Sequence, residues 1–335
     1  MKKVTVIGAG SWGTALAVLL GGNGHRVTLW GREEDGVEET ARTRVNARYL
    51  PGVIIPDEID VTSDLDYALS GTEILVLSVP SQALRSVLRR IENRVGSDAV
   101  IVNTAKGLEI GTQLRMSQVV RDVWGPDTEK RFAVLSGPSH AEEVGRRIPT
   151  AVVAASSHPP VARLVQDVFM SRCFRVYTSD DVIGVEMGGS LKNIIALATG
   201  ISEGLGFGDN TKAALLTRGL AEIIRMGVKV GARAQTFSGL SGLGDLVVTC
   251  NSRHSRNNRA GFLIGQGHKR EQVVEMIGMV VEGISTTQAA FEMSCEMGLE
   301  MPITSIVYQV LFEGQPPGPA VWKLMERDKK QETLP

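Results

Sequence analysis

The stretch Lys2-Lys3-Val4-Thr5-Val6-Ile7-Gly8-Ala9-Gly10-Ser11-Trp12-Gly13-Thr14 decides the fold. Val4, Val6 and Ile7 form a short apolar run with strong strand propensity. After the glycines, Thr14-Ala15-Leu16-Ala17-Val18-Leu19-Leu20 reads as a helix packed on both sides. Strand, glycine turn and helix stand in the order of a dinucleotide fingerprint. Gly8 allows the tight turn, a side chain at Gly10 would collide with a pyrophosphate, and Gly13 lets the helix approach the strand. The free amides of the first helical turn then face phosphate, and the helix dipole favours its negative charge. Thr14 stands where a P-loop needs lysine, which excludes that motif. The plainer alternative is a purely structural strand-turn-helix.

The 335 residues are enough for two domains of ordinary size. A 43% hydrophobic and 22% charged composition is that of a globular protein. A formal net charge of −1 gives no electrostatic case for nucleic acid or an acidic membrane. Cys173, Cys250 and Cys295 are odd in number and widely spaced, which suits reduced thiols and neither a disulfide scaffold nor a metal site. The chain enters its first strand directly, and no apolar run reaches membrane-spanning length, so a cytoplasmic location is expected.

His25–Trp30 reads as the second parallel strand, and the residue past it meets the adenosine ribose. Gly31-Arg32 stands there in place of an acid. The planar charged fork of Arg32 suits a 2′-phosphate, so NADPH is favoured, with NADH open if Glu33 turns inward. Residues 33 to 66 look irregular and polar, and Tyr49 lies where a loop could reach back to the cofactor. Further strands are expected at 72–80, 99–103, 132–135, 150–155 and 174–178. This gives an α/β fold with a doubly wound, mostly parallel Rossmann-type sheet over residues 1–182. Strand ends at Ser78-Val79-Pro80, Asn103 to Leu108 and Ser136 to Ala141 converge on the ligand side of such a sheet. Taken without further context, Lys106 on that edge is better explained as a solvated lysine.

Beyond residue 182 helix formers dominate, and an all-helical domain is expected over 183–335. Residues 189–204 and 211–227 read as long buried helices, with others at 271–277, 286–297 and 303–312. Lys192 falls in the first turn of the first of these, where a lysine ordinarily points to solvent. Ser238 to Asp245 is glycine-rich. Ser252 to Arg259 carries three arginines among short polar side chains, and fits either a phosphate cradle at a helix start or an exposed loop.

Taken in order, Gly8 to Gly13, Leu29-Trp30-Gly31-Arg32, Lys106-Gly107-Leu108-Glu109, Ser136-Gly137-Pro138-Ser139, Ser190-Leu191-Lys192-Asn193, Gly242-Leu243-Gly244-Asp245-Leu246, Ser255-Arg256-Asn257 and Val281-Glu282-Gly283 resemble the bacterial NAD(P)-dependent glycerol-3-phosphate dehydrogenases. The resemblance runs from residue 1 to about residue 325. It implies reversible reduction of dihydroxyacetone phosphate to sn-glycerol 3-phosphate for phospholipid synthesis. It assigns Ser11, Trp12, Arg32, Lys106, Ala141, Arg256, Val280 and Glu282 to the cofactor. Lys106, Gly137, Ser139, Lys192, Asp245, Ser255, Arg256 and Asn257 go to the substrate, with Lys192 as proton donor and acceptor. The broad apolar faces of the helices suggest a homodimer. Rival readings are a 6-phosphogluconate or 3-hydroxyacid dehydrogenase of similar build, and a non-enzymatic nucleotide sensor.

Overall fold

The computed structural model describes residues 1–329 and 331–332, and the chain divides into two compact units. The first comprises residues 1–105 and 116–182. Its strands are β1 (Lys3–Ile7), β2 (Arg26–Trp30), β3 (Asp60–Thr62), β4 (Ile74–Leu77), β5 (Val100–Asn103), β6 (Phe132–Ser136), β7 (Thr150–Ala155) and β8 (Phe174–Ser179). They form one eight-stranded sheet in the order β3-β2-β1-β4-β5-β6-β7-β8. Strands β1 to β6 are parallel, β7 runs antiparallel to β6, and β8 is parallel to β7. The sheet is thus doubly wound and mostly parallel, as the sequence predicts. β4 is apolar and buried along its whole length, and β1 is buried from Val4 to Ile7, which is what a strand covered on both faces requires. The helices are α1 (Ser11–Gly22), α2 (Val37–Thr43), α3 (Leu65–Leu69), α4 (Leu84–Ile91), α5 (Met116–Trp124), α6 (Ala141–Gly145) and α7 (Pro159–Phe169). The apolar faces of α1, α2, α6 and α7 complete a core around Leu16, Leu20, Leu29, Val76, Leu135 and Phe169.

Strand β3 has no counterpart among the strands expected from sequence. Its three residues are too short to carry a periodic signal, and pairing of Asp60–Thr62 with Thr28–Trp30 creates it. The strand order reverses between β4 and β2 on either side of β1, so the topological switch point lies just beyond Ile7 and Leu77.

The second unit comprises residues 106–115 and 183–335. Its helices are α8 (Val182–Gly204), α9 (Asp209–Lys229), α10 (Asp245–Asn251), α11 (Arg256–Gly265), α12 (Arg270–Ile277), α13 (Glu282–Glu296), α14 (Pro302–Phe312) and α15 (Pro317–Met325). A single boundary at residue 182 does not provide for the excursion Lys106–Arg115. That segment is anchored in the helical core by the fully buried Leu108. It is also held by an ion pair of 2.6 Å from Arg115 to Glu186 and a 2.7 Å hydrogen bond from Gln113 to Glu296.

Helix α8 begins seven residues earlier than its sequence predicts, which corrects the placement of Lys192 from a first turn to mid-helix. Gly184, Gly188 and Gly189 read as breakers, but Gly188 permits close packing: a Cβ there would lie 2.4 Å from the Ser241 carbonyl oxygen. The same device joins α8 to α11. A Cβ at Gly200 would meet Asn258 O at 2.1 Å, at Gly204 Phe262 O at 2.2 Å, at Gly261 Leu197 O at 2.1 Å and at Gly265 Ile201 O at 2.4 Å. Two glycine pairs, each four residues apart, therefore let the two backbones touch. Among the described residues no helix is long and apolar enough to cross a membrane.

Candidate active site

In the first unit the three fingerprint glycines separate by cause. Gly8 has φ +112°, and a Cβ there would lie 2.5 Å from Ser78 O. A Cβ at Gly13 would lie 1.9 Å from Gly8 O, so α1 must abut the turn. Among the described residues nothing lies within 4 Å of where a Cβ at Gly10 would stand, apart from its chain neighbours, so a ligand has room to approach there. Gly10 is also the N-cap of α1, and no side chain caps that terminus. Among the described residues, Trp12 Nε1 in the first turn of α1 and Ser78 Oγ and Ser136 Oγ at the ends of β4 and β6 are buried without a hydrogen-bond partner. Buried polar atoms without partners are rare in proteins, and a polar ligand would satisfy them. An open cradle at a bare helix N-terminus with polar atoms in reserve fits a dinucleotide.

Asn46 supports this turn and carries no mark in the sequence. Its Nδ2 donates to Ala9 O at 2.8 Å and to Thr14 Oγ1 at 2.9 Å, which fixes the glycine loop against α1. Nothing local signals it, because its partners lie more than thirty residues away. Past β2, Arg32 is ion-paired with Asp35 and Glu34, and Tyr49 Oη donates to Asp35 at 2.9 Å. Glu33 is exposed. Gly137 (φ +143°) follows β6, where a Cβ would meet Val152 Cα at 3.0 Å; Ser139 Oγ donates to Gly137 O at 2.9 Å. Ala141 begins α6 and is buried.

In the second unit three of the proposed substrate residues meet. Lys192 is only 5% exposed and Asp245 1%, so the expectation of a solvated lysine at residue 192 is overturned. The Asp245 carboxylate bridges two ammonium groups: Oδ1 lies 2.9 Å from Lys192 Nζ and Oδ2 lies 2.6 Å from Lys106 Nζ. Helix α8 supplies one lysine, the 106–115 excursion the other, and the first residue of α10 the carboxylate. Thr249, one turn along α10, accepts from Lys192 Nζ at 2.6 Å and donates to Asp245 O at 2.6 Å. Asn193 Nδ2 donates to Lys106 O at 3.3 Å. Thr249 and Asn193 complete the cluster, and the sequence assigns neither to the site. Asn193 adjoins Lys192, and Thr249 is spaced i+4 from Asp245, which are the available signals.

Burial pushes the Lys192 pKa down to about 8; Asp245 opposes this and Lys106 adds to it. Burial alone would raise the Asp245 carboxyl, but Lys106 and Lys192 outweigh it and hold it below its ordinary value. The site therefore pairs a lysine that can exchange a proton near neutrality with a carboxylate that stays ionised.

The stretch 252–259 contains a helix start: α11 begins at Arg256, and Ser255 is its N-cap, with Oγ accepting from Asn258 N at 3.2 Å. Arg256 Nη1 donates to Val280 O at 3.1 Å. Asn257 Nδ2 donates to Asn193 Oδ1 at 2.9 Å, and its Oδ1 accepts from Gly283 N at 2.8 Å. Asn257 thus links the start of α11 to α8 beside Lys192 and to the start of α13, where Glu282 is the first residue.

The model of the NAD-dependent glycerol-3-phosphate dehydrogenase N-terminus matches residues 3–162, and that of the C-terminus matches residues 181–321. The glycerol-3-phosphate dehydrogenase [NAD(P)+] of Syntrophomonas wolfei is 56% identical over 332 residues, 99% of this chain and 97% of that protein. That of Clostridium perfringens is 51% identical over 334 residues, the full length of both. The crystal structure of glycerol-3-phosphate dehydrogenase from Coxiella burnetii superposes with a TM-score of 0.93 at 40% identity, covering 97% of this chain and 99% of that one. On these matches, spanning both units, the chain belongs to the NAD-dependent glycerol-3-phosphate dehydrogenase family.

Proposed function

We propose that the chain reversibly reduces dihydroxyacetone phosphate to sn-glycerol 3-phosphate with NAD(P)H, and so supplies glycerophospholipid synthesis. The observation that carries this is the buried Lys106–Asp245–Lys192 cluster. A bound nicotinamide dinucleotide supplies the hydride. Gly8, Gly10, Ser11, Trp12 and Gly13 would hold its pyrophosphate, and Arg32 and Tyr49 its adenosine ribose; the family resemblance also assigns to it Ala141 of the first unit and Lys106, Arg256, Val280 and Glu282 of the second.

Lys192 donates a proton from Nζ to the C2 oxygen as that oxygen gains charge, and takes it back in the reverse direction. Asp245 keeps both ammonium groups in place and stabilises the charged form of Lys192. Lys106 adds positive charge beside the developing oxyanion, which lowers the barrier electrostatically. Arg256, Ser255 and Asn257 at the N-terminus of α11 hold the phosphate, where guanidinium, amide donors and helix dipole act together. The family resemblance also assigns Gly137 and Ser139 of the first unit to the substrate.

NADPH is the favoured donor on the strength of Arg32. A cytoplasmic setting is supported by the thiols of Cys173, Cys250 and Cys295, which are all unpaired by disulfides. A homodimer is supported by the exposed apolar side chains of Val274, Met276 and Trp322 in the second unit. Sedimentation at micromolar concentration tests the dimer, and cell fractionation tests the compartment. The decisive experiment is oxidation of NADPH by dihydroxyacetone phosphate, with NADH run beside it. Absence of turnover with both donors refutes the proposal.

A further inference from the structure

We infer that Asp35 is a specificity-determining residue, which restrains the attraction of Arg32 for a 2′-phosphate and so keeps both NADH and NADPH usable. This rests on the proposed binding of a nicotinamide dinucleotide at the glycine turn.

Arg32 stands two residues past the end of β2, where the adenosine ribose is met in such sheets. Its guanidinium is already engaged. Nε donates to Asp35 Oδ2 at 2.8 Å, Nη2 to Asp35 Oδ1 at 3.1 Å, and Nη1 pairs with Glu34. Tyr49, the other residue assigned to this end of the cofactor, also donates to Asp35, at 2.9 Å. One carboxylate thus holds both side chains. The backbone fixes it there: Asp35 N donates to Arg32 O at 3.1 Å, Gly36 N donates to Glu33 O at 2.9 Å, and Gly36 adopts φ +76°. Asp35 is the shielded partner, with a side chain 17% exposed against 57% for Arg32. The hydrogen bonds from Arg32 and Tyr49 overcome the effect of burial and hold the Asp35 carboxyl below its ordinary value, so it is ionised at neutral pH.

Charge and hydrogen-bond chemistry act here in two ways. A phosphate on the ribose must compete with Asp35 and Glu34 for one guanidinium, while meeting their like charge. A ribose with a free 2′-hydroxyl can instead donate to an ionised carboxylate, which only accepts. Asp35 therefore disfavours the phosphorylated ribose and favours the plain one, against the pull of Arg32.

The test is equilibrium binding, independent of turnover. NADPH, NADH, 2′,5′-ADP and 5′-AMP are titrated against wild type, Asp35→Asn, Asp35→Ser and Glu34→Gln. Both Asp35 variants are expected to shift the NADPH-to-NADH affinity ratio toward NADPH by about two- to fivefold, the scale of one exposed charge pair. The ratio of 2′,5′-ADP to 5′-AMP should move with it, and the gain should shrink at high salt. Glu34→Gln, lacking the link to Tyr49, should give the smaller shift. Retained NADH binding shows that a variant is folded. An unchanged or falling ratio while both dinucleotides still bind overturns the role of Asp35 alone. Failure of wild type to bind either dinucleotide overturns the underlying dinucleotide site as well.

Discussion

Replacing Asp245 by asparagine keeps the shape of the side chain and removes the charge that Lys192 and Lys106 share. Lys192 Nζ lies 2.9 Å from Asp245 Oδ1, and its pKa is about 8 with that carboxylate present. Burial and Lys106 both disfavour its charged form, and only Asp245 substantially opposes them. An opposite charge this close commonly moves a pKa by about one to three units, so the Asp245→Asn value should fall by that amount. Near pH 7.5 the ammonium fraction of Lys192 would drop from about three quarters to between about one quarter and under one per cent. Carbonyl reduction requires the ammonium, so turnover should fall roughly three- to two-hundredfold at that pH. The sign gives the diagnostic. In wild type, reduction should decline as pH rises through about 8, while glycerol 3-phosphate oxidation, which needs the free amine, should gain. In the variant both limbs move to lower pH, so reduction recovers in part on acidification. The assay is turnover at saturating substrate in both directions from about pH 5.5 to 9.5, with a thermal melt to check folding. A pH profile that does not move, or a loss of equal size at every pH in a folded variant, refutes the electrostatic role.

Lys192→Ala should lower turnover by about 10²- to 10⁴-fold with a smaller effect on cofactor binding, and near-normal turnover would remove its role as the acid. Gly261→Ala should destabilise by about 3 kcal/mol or more in urea unfolding, because its methyl would press on Leu197 O, outweighing the helix propensity gained. Gly318→Ala, whose nearest neighbour is a side-chain carbon 4.0 Å away, should be neutral or mildly stabilising; equal losses in the two variants would dispose of the glycine seam. Glu222 is buried, accepts from Ile303 N, Thr304 N and Thr304 Oγ1, and has its pKa raised by burial to about 7. Since the folded value exceeds the unfolded one, its contribution is present at acid pH and is lost as pH rises through about 7. Glu222→Gln should flatten stability between about pH 4.5 and 7, and an unaltered slope would count against this assignment.

Much of the first unit is legible because its signals are local. The fingerprint reads in thirteen consecutive residues, and the apolar runs at β4, β5 and β6 announce themselves by composition. β3 is silent because three residues carry no period. The early start of α8 is hidden because Gly184, Gly188 and Gly189 look like punctuation until the close approach of Ser241 to Gly188 is seen. In the second unit the sequence names Lys106, Lys192 and Asp245 through their motifs. Taken as isolated lysines, the first two would ordinarily be solvent-exposed, since a buried ammonium is costly without a partner.

The linear chain by itself determined the strand-turn-helix entry, the doubly wound sheet and the helical character of the second unit, since propensity and apolar period act over a few neighbours. Tertiary structure alone decided that the 106–115 segment joins the helical unit, that Asp245 stands between two lysines 53 and 139 residues away, and that Arg32 is held by Asp35. The reason is physical: a charge is stabilised or penalised by its neighbours within a few ångströms, and those neighbours are chosen by packing rather than by order along the chain.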